Sequence, residues 1–231
     1  WRDVIFINIS GDALNFLEVN ADLIKRWSEF DNKIYHGGND SKFQLNLKSN
    51  YKLVVENYCE SYHLPWVHPG LNSYSRLEDH YNIVKYGKFS GQGTLLYSQF
   101  KDKSGQAAFP DFPNLSEKWD KGAEYITVYP NVLLGVQRDH AFAIIVEPKC
   151  YNETVEHIHF YYASDTTVAK NRKINTKQWK EVFEEDIFVV QGMQSGRHAT
   201  SFDGGRFSPI MDEATHCYHD WVANKISAHR N

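Results

Sequence analysis

Six segments rich in β-branched and aromatic residues follow one another between Tyr81 and Ser164, and they constrain the fold more than any other feature. In chain order they are YNIVKYGKF, GTLLYSQF, YITVYP, VLLGVQR, AFAIIVEP and VEHIHFYYAS. A polar, proline-containing stretch over residues 101–120 is predicted to be a long loop, and Gly91-Gln92-Gly93 a β-turn. Strands that follow one another without intervening helices favour an antiparallel sheet.

Helical patterns flank this β-rich region. Two long helices are predicted after it, over residues 176–199 and 211–229. Before it, the pattern indicates a strand at 3–9, a helix within 17–30, a strand, a Gly-Gly turn and a second strand over 33–50, and a helix at 51–63. These elements predict an α+β fold, in which an antiparallel β-sheet is covered on one face by long helices, and one catalytic domain spanning residues 1–231.

Charge and apolar content exclude several classes of protein. The formal net charge is −4 and no run of Lys or Arg is present, so nucleic acid and anionic membranes are not expected as partners. No apolar run approaches the ~20 residues that span a bilayer. Three widely spaced cysteines argue against a disulfide framework and for a cytoplasmic location. Because the chain begins with Trp1 and not with Met, we expect it to be the C-terminal part of a longer protein.

The stretch ENYCESYHLPWVHP (residues 56–69) concentrates ionisable side chains within otherwise apolar sequence. On a continuous helix, at about 100° per residue, Glu56, Cys59, Glu60 and His63 share one face. Ionised groups on a partly apolar face are unfavourable unless they are paired or bind a metal. A solvated helix face with one hydrogen-bonded core histidine is the simpler explanation for any one of them alone.

Two histidines in this stretch have a spacing that suggests a metal site. His63 and His68 would diverge by roughly 140° on a continuous helix. Pro65 lies between them and disfavours helix at the preceding residue, so a turn there would bring the two imidazoles together. Two neutral imidazoles can supply two of the ligands of a transition-metal site, and an oxygen ligand is then needed to complete it.

Asp186 is the candidate oxygen ligand. It falls at the centre of an apolar helix face, whereas Glu184 points to the opposite side and Glu185 to the flank. Pairing with an Arg or Lys elsewhere is the alternative for such a carboxylate, and Glu185 is the alternative third ligand. Two His and one carboxylate form the facial triad that holds non-haem Fe(II) with open positions. The HExxH motif typical of zinc hydrolases is absent.

The segment NYKLVVENYCESYHLPWVHPGLN (residues 50–72) closely resembles the iron-binding motif of Rieske-type non-haem iron oxygenases, the family of ring-hydroxylating α-subunits. It contains the Tyr-Lys opening, Glu-Asn, an acid three residues before the first His, and four residues between the His pair. EEDIFVVQGMQSG (residues 184–196) resembles the helix whose Asp is the third ligand, followed eight residues later by a Gln, here Gln194. WRDVIFINISGDA (residues 1–13) resembles the strand that leads into the catalytic domain.

This resemblance implies a helix-grip (Bet v 1/START-like) catalytic domain. It assigns His63, His68 and Asp186 as Fe(II) ligands, and it places Glu60 and Asn57 in the catalytic site. In the family, the acid matching Glu60 bridges to a neighbouring Rieske cluster across a subunit boundary, which implies a homotrimer. The sequence has no pair of C-x-H and C-x2-H motifs for a [2Fe–2S] cluster, so the Rieske domain is expected outside this chain.

The resemblance further implies O2 and a small organic substrate, with electrons from NAD(P)H delivered by a separate reductase or ferredoxin. Glu at position 60 favours monooxygenation, as hydroxylation or demethylation, and dihydroxylation of an aromatic ring is the alternative. A protein of another class, a helix-grip carrier of hydrophobic ligands without iron chemistry, is the second alternative. His157 and His159 share a strand face and are expected to be half-exposed more often than to line a pocket.

Overall fold

A computed structural model describes residues 1–98, 101, 105 and 107–228. Within this part of the chain, eight strands form one sheet in which every pairing is antiparallel, in the order β1-β8-β7-β6-β5-β4-β3, and β2 also pairs with β8. The strands are β1 Tyr35–His36, β2 Lys42–Leu47, β3 His80–Lys85, β4 Phe89–Thr94, β5 Ala123–Val128, β6 Val132–Val136, β7 His140–Cys150 and β8 Glu153–Tyr162.

The described α-helices lie before, between and after these strands. They are α1 Phe16–Val19, α2 Ala21–Arg26, α3 Tyr51–Cys59, α4 Leu64–Val67, α5 Pro69–Asn72, α6 Ala169–Gly196 and α7 Glu213–Ala228. The two predicted long helices are confirmed as α6 and α7, and α6 begins seven residues earlier than predicted. None of the helices in the described residues has the length and apolar composition needed to cross a membrane.

The sheet separates two apolar cores. α3, α6 and α7 pack on one face and bury Trp179, Val190 and Tyr218 against it. The other face is covered by the N-terminal segments and the loop before β5, which bury Trp27 and Trp119. The predicted α+β fold, with long helices on one face of an antiparallel sheet, is therefore confirmed. The central strands β4, β5 and β6 are buried along their whole length because both faces are covered.

Of the two β-rich segments predicted near the N-terminus, the first is wrong. Residues 3–9 form no strand; Phe6 packs on Phe16, but Ile5 and Ile7 are exposed and the backbone has no partner strand among the described residues. Residues 33–50 form the two predicted strands, β1 and β2, on either side of Gly37 and Gly38; the two strands pair with β8, one after the other along its edge, and not with each other. Residue alternation records which side chains face inward and does not identify a partner strand.

The helix predicted at residues 51–63 is shorter than expected, and the turn predicted at residues 91–93 is a strand. α3 ends at Cys59, and Glu60 is already extended, so these residues do not continue one helical face. Gly91-Gln92-Gly93 is the middle of β4 and not a turn. A Cβ on Gly91 would lie 2.0 Å from the carbonyl oxygen of Tyr125, so only glycine permits this approach of β4 to β5.

Candidate metal centre

Three side chains from two separate segments converge between α6 and the end of α3. His63 lies just before α4 and His68 just after it, so the short helix turns the chain and aims both rings at α6. Nε2 of His63 and of His68 lie 3.5 and 3.0 Å from Oδ1 of Asp186. The three candidate ligand atoms lie within 4.8 Å of one another, a spacing that can hold one metal ion. The donor set fits Fe(II), which accepts imidazole nitrogen and carboxylate oxygen.

Each imidazole is held from behind by a second carboxylate. Nδ1 of His63 lies 2.6 Å from Oε1 of Glu60, and Nδ1 of His68 lies 2.7 Å from Oε2 of Glu185. Metal-binding histidines are usually oriented in this way, because a hydrogen bond at one ring nitrogen presents the other to the metal. Glu60 also accepts hydrogen bonds from the backbone N–H groups of Tyr62 and His63, which fixes it at the end of α3.

The carboxylates around His68 raise the pKa of its imidazole. Burial by itself lowers the pKa of His68, but hydrogen bonds and negative charge from Asp186 and Glu185 outweigh burial and raise it. The side chain of His68 is almost fully buried, whereas that of Glu185 is 45% exposed. A divalent cation would satisfy the same carboxylates while His68 is neutral.

Asn57 and Glu56 have different environments although they are adjacent in sequence. Asn57, predicted near the metal, donates from Nδ2 to Oδ1 of Asp186 at 2.8 Å and thereby positions that carboxylate. Glu56 points away from the centre and pairs with Arg197 and His219, at 2.9 and 3.0 Å. This pairing gives Glu56 a structural role, because it connects α3 to the end of α6 and to α7.

The structure adds neighbours that sequence patterns did not reveal. Gln92 donates to the carbonyl oxygen of Glu60 at 2.9 Å, and its Oε1 lies 2.6 Å from Nδ1 of His80. His157 and His159 do not reach this centre; they are half-buried on the outer face and contact Gln44 and His36, as the simpler interpretation predicted. Gln92 lies in a β-sheet segment without a polar motif, so no local signal identified it.

A small cavity adjoins the three candidate ligands. It has a volume of about 60 Å³, and aromatic side chains from the sheet and α6 close its far end. These aromatic residues are Tyr125, Phe142, Trp179 and Phe183. A larger cleft of about 440 Å³ opens on the other side of Asn57 and Glu60, but none of the three ligand residues lines it. Of these two cavities, only the smaller one is lined by the three candidate ligands.

Comparison with known families identifies the chain. Residues 26–228 match the model of the ring-hydroxylating alpha subunit catalytic domain, and the chain belongs to this family. Such membership implies a mononuclear iron in this domain and a Rieske cluster in a partner domain, as predicted.

Two relatives illustrate the similarity. A putrescine 2-hydroxylase of Bordetella bronchiseptica is 24% identical over 193 residues, which cover 74% of this chain and 42% of the relative. A carnitine monooxygenase oxygenase subunit of Acinetobacter pittii is 22% identical over 203 residues, covering 87% and 52%. The chain thus spans about half the length of these relatives.

A solved structure of a quaternary ammonium Rieske monooxygenase matches 95% of this chain and 59% of its own, with a TM-score of 0.74 and 18% identity. At this level of identity the match establishes a shared fold.

Proposed function

We propose that this chain is the catalytic domain of a Rieske-type oxidoreductase that monooxygenates a small aliphatic amine or ammonium compound. The observation that carries the proposal is the convergence of His63, His68 and Asp186 on one point beside an aromatic cavity. No fourth His, Cys, Asp or Glu joins this group among the described residues. Such a triad leaves positions free for O2 on Fe(II).

His63, His68 and Asp186 would hold the iron, and the residues around them would orient the ligands. Glu60 and Glu185 would each accept a hydrogen bond from the Nδ1–H group of one histidine, which leaves Nε2 of that ring free to coordinate. Asn57 holds one oxygen of Asp186 by its amide. When bound, Fe(II) supplies the redox chemistry that O2 activation requires. The chain itself excludes bulk water, since the cavity is lined by largely buried side chains.

Substrate class is supported by the relatives and by the cavity. The relatives are a hydroxylase of putrescine and a monooxygenase of carnitine, both small aliphatic molecules that carry positive charge. Aromatic side chains at the far end would bind an ammonium group through their π faces.

Electrons would come from NAD(P)H through a separate reductase or ferredoxin and the Rieske cluster. We propose a homotrimer in which Glu60 lies near the subunit boundary, in the cytoplasm. Exposed aromatic side chains beside Glu60 support an interface there: Tyr62 and Trp66 are 50% and 69% exposed and pack on each other at 5.4 Å. A full-length protein that is active as a monomer would contradict this assembly.

The decisive assay follows substrate-dependent O2 uptake by the full-length protein with a reductase. We expect turnover of amines such as putrescine, carnitine or choline. Formation of a cis-diol from an arene, without turnover of amines, would instead establish the dioxygenase alternative. Iron analysis tests the carrier alternative: after anaerobic Fe(II) reconstitution we expect about one iron per chain, and a chain without iron would be a ligand carrier.

A further inference from the structure

Three buried side chains form a hydrogen-bonded series that begins at the cavity wall. Trp179 lines the cavity, and its Nε1 donates to Nε2 of His140 at 2.8 Å. Nδ1 of His140 lies 2.7 Å from Oδ1 of Asp139. Asp139 and His140 are fully buried and Trp179 is 6% exposed. The series therefore connects the cavity to a carboxyl group in the turn between β6 and β7.

Donor chemistry determines the state of His140. The indole N–H of Trp179 can only donate, so Nε2 of His140 must accept. The ring proton then resides on Nδ1, from which it is donated to Asp139. An imidazole in this tautomer carries no charge, and it does not neutralise the carboxylate behind it.

Asp139 forms no salt bridge with Lys or Arg among the described residues, although the charge of the adjacent Arg138 acts on it at longer range. Its Oδ2 is buried and accepts no hydrogen bond, and its one ion-pair contact is His140. The adjacent Arg138 binds Asp111 and Asp120 instead. A buried carboxylate whose nearest cation is paired with other acids is only partly compensated. A cation bound in the neighbouring cavity would offset that charge.

The cavity next to Trp179 has the composition of an ammonium-binding site. The indole contacts three further rings of the cavity wall, with centroid distances of 5.0 Å to Phe142, 5.4 Å to Phe183 and 6.3 Å to Tyr125. Tryptophan is the most favourable aromatic partner for a cation. Trp179 precedes Asp186 by seven residues, about 10 Å along α6, so the two groups can contact opposite ends of a slender substrate.

We propose that the aromatic end of the cavity binds the ammonium group of the substrate, with Trp179 as its contact and Asp139 as its counter-charge, relayed through His140. This inference rests on the proposed amine oxidation and specifies the residues that recognise the charge. Asp139 and His140 are positioning residues, because they act through Trp179. Their effect operates in a dry interior, where charges interact more strongly than in water.

The test uses full-length enzyme with its reductase and two probes: choline, and dimethylbutanol, the uncharged isostere in which carbon replaces nitrogen. Asp139→Asn keeps the hydrogen bond to His140 and removes the charge, and Trp179→Phe removes the indole N–H. We expect each variant to raise the Kd and KM for choline about tenfold and to leave dimethylbutanol binding within about twofold. Calorimetry on resting enzyme gives Kd independently of turnover, and kcat should change less than KM.

Matched variants separate this role from a structural one. Trp119→Phe is the control, because Trp119 is also buried and donates to a carboxylate, Glu29, but on the opposite face of the sheet. His140→Gln can accept from the indole and donate to Asp139, so it should keep choline affinity, whereas His140→Phe should not.

The outcomes distinguish this inference from the proposed function. Equal losses for choline and dimethylbutanol, or no loss in Asp139→Asn and Trp179→Phe while the wild type oxidises amines, would overturn the inference alone. A wild-type enzyme that neither binds nor oxidises any amine would overturn the proposed function and the inference with it.

Discussion

Glu124 and Glu156 are both buried carboxyl groups of the sheet, yet they face opposite cores and have opposite surroundings. Glu124, on β5, accepts hydrogen bonds from Arg26, Trp27, Tyr81 and Lys118. Burial by itself would raise the pKa of Glu124, but hydrogen bonds and charges from Arg26 and Lys118 outweigh burial and lower it. The face of the sheet away from the metal centre thus supplies its own counter-charges.

Glu156, on β8, projects toward the helices and lies beside Leu45 and Val146 in the sheet. It forms no side-chain hydrogen bond or ion pair with the described residues. Burial raises the pKa of Glu156 to about 8, and the charge of Asp186 adds to this effect. Asp139 is a second carboxyl on this side of the sheet, and it forms no salt bridge with Lys or Arg among the described residues. A buried acid with its own donors stabilises a fold, whereas acids without donors mark the side on which ligands bind.

The largest expected effect comes from removing a ligand on the functional face. Asp186→Ala should abolish iron retention and turnover, because two imidazoles alone hold Fe(II) weakly. His63→Ala and His68→Ala should do the same while the circular dichroism spectrum is retained. Iron content after anaerobic reconstitution is the measurement. Full iron in Asp186→Ala would move the third ligand to Glu185.

Next in size is a loss of stability on the opposite face. Glu124→Ala removes the carboxylate that pairs with Arg26 and Lys118, and we expect it to lower the free energy of unfolding by about 3 kcal/mol. Urea denaturation measures this change. Iron stoichiometry should stay at the wild-type value, and a simultaneous loss of iron would show that the two faces are not independent.

A smaller effect is expected from the carboxylates behind the histidines. Glu60→Gln and Glu185→Gln should each weaken Fe(II) affinity about tenfold to a hundredfold, because a neutral amide holds the ring N–H less strongly and no longer raises the basicity of the imidazole. Glu60→Gln should be the more severe, since Glu60 is 14% exposed and Glu185 is 45% exposed. Glu184→Gln is the matched control on α6, where Glu184 pairs only with Lys180 among the described residues. An equal loss of affinity in the control would refute the orienting role.

The last expected effect is a pH dependence of the free energy of unfolding. The pKa of Glu156 is about 8 in the folded chain against a reference value of 4.5, so the folded state binds more protons between these values. Stability should therefore fall as pH rises from 4.5 toward 8. Glu156→Gln should be close to wild type in stability near the lower pH and more stable above the upper one. If the difference in unfolding free energy between wild type and Glu156→Gln did not vary with pH, Glu156 would not be a buried, unpaired acid.

Local patterns were sufficient to predict the elements that carry the three candidate ligands. The spacing of His63 and His68 around Pro65, and the position of Asp186 on the apolar face of a long helix, follow from helix geometry over a few residues. The strand run between Tyr81 and Ser164 likewise predicted the antiparallel sheet. Each of these features depends on neighbours in sequence, where backbone periodicity alone places the side chains.

Tertiary packing decided which distant groups meet, and no periodicity encodes that choice. Glu56 looked like a member of the metal site, but Arg197 and His219 reach it from α6 and α7. From the sequence, Trp179 is expected to be an ordinary core residue. Only the tertiary structure shows that its indole N–H donates to His140, on β7. Pairings of this kind depend on how helices settle on a twisted sheet, because side-chain contacts across layers are selected by shape and polar complementarity between remote segments.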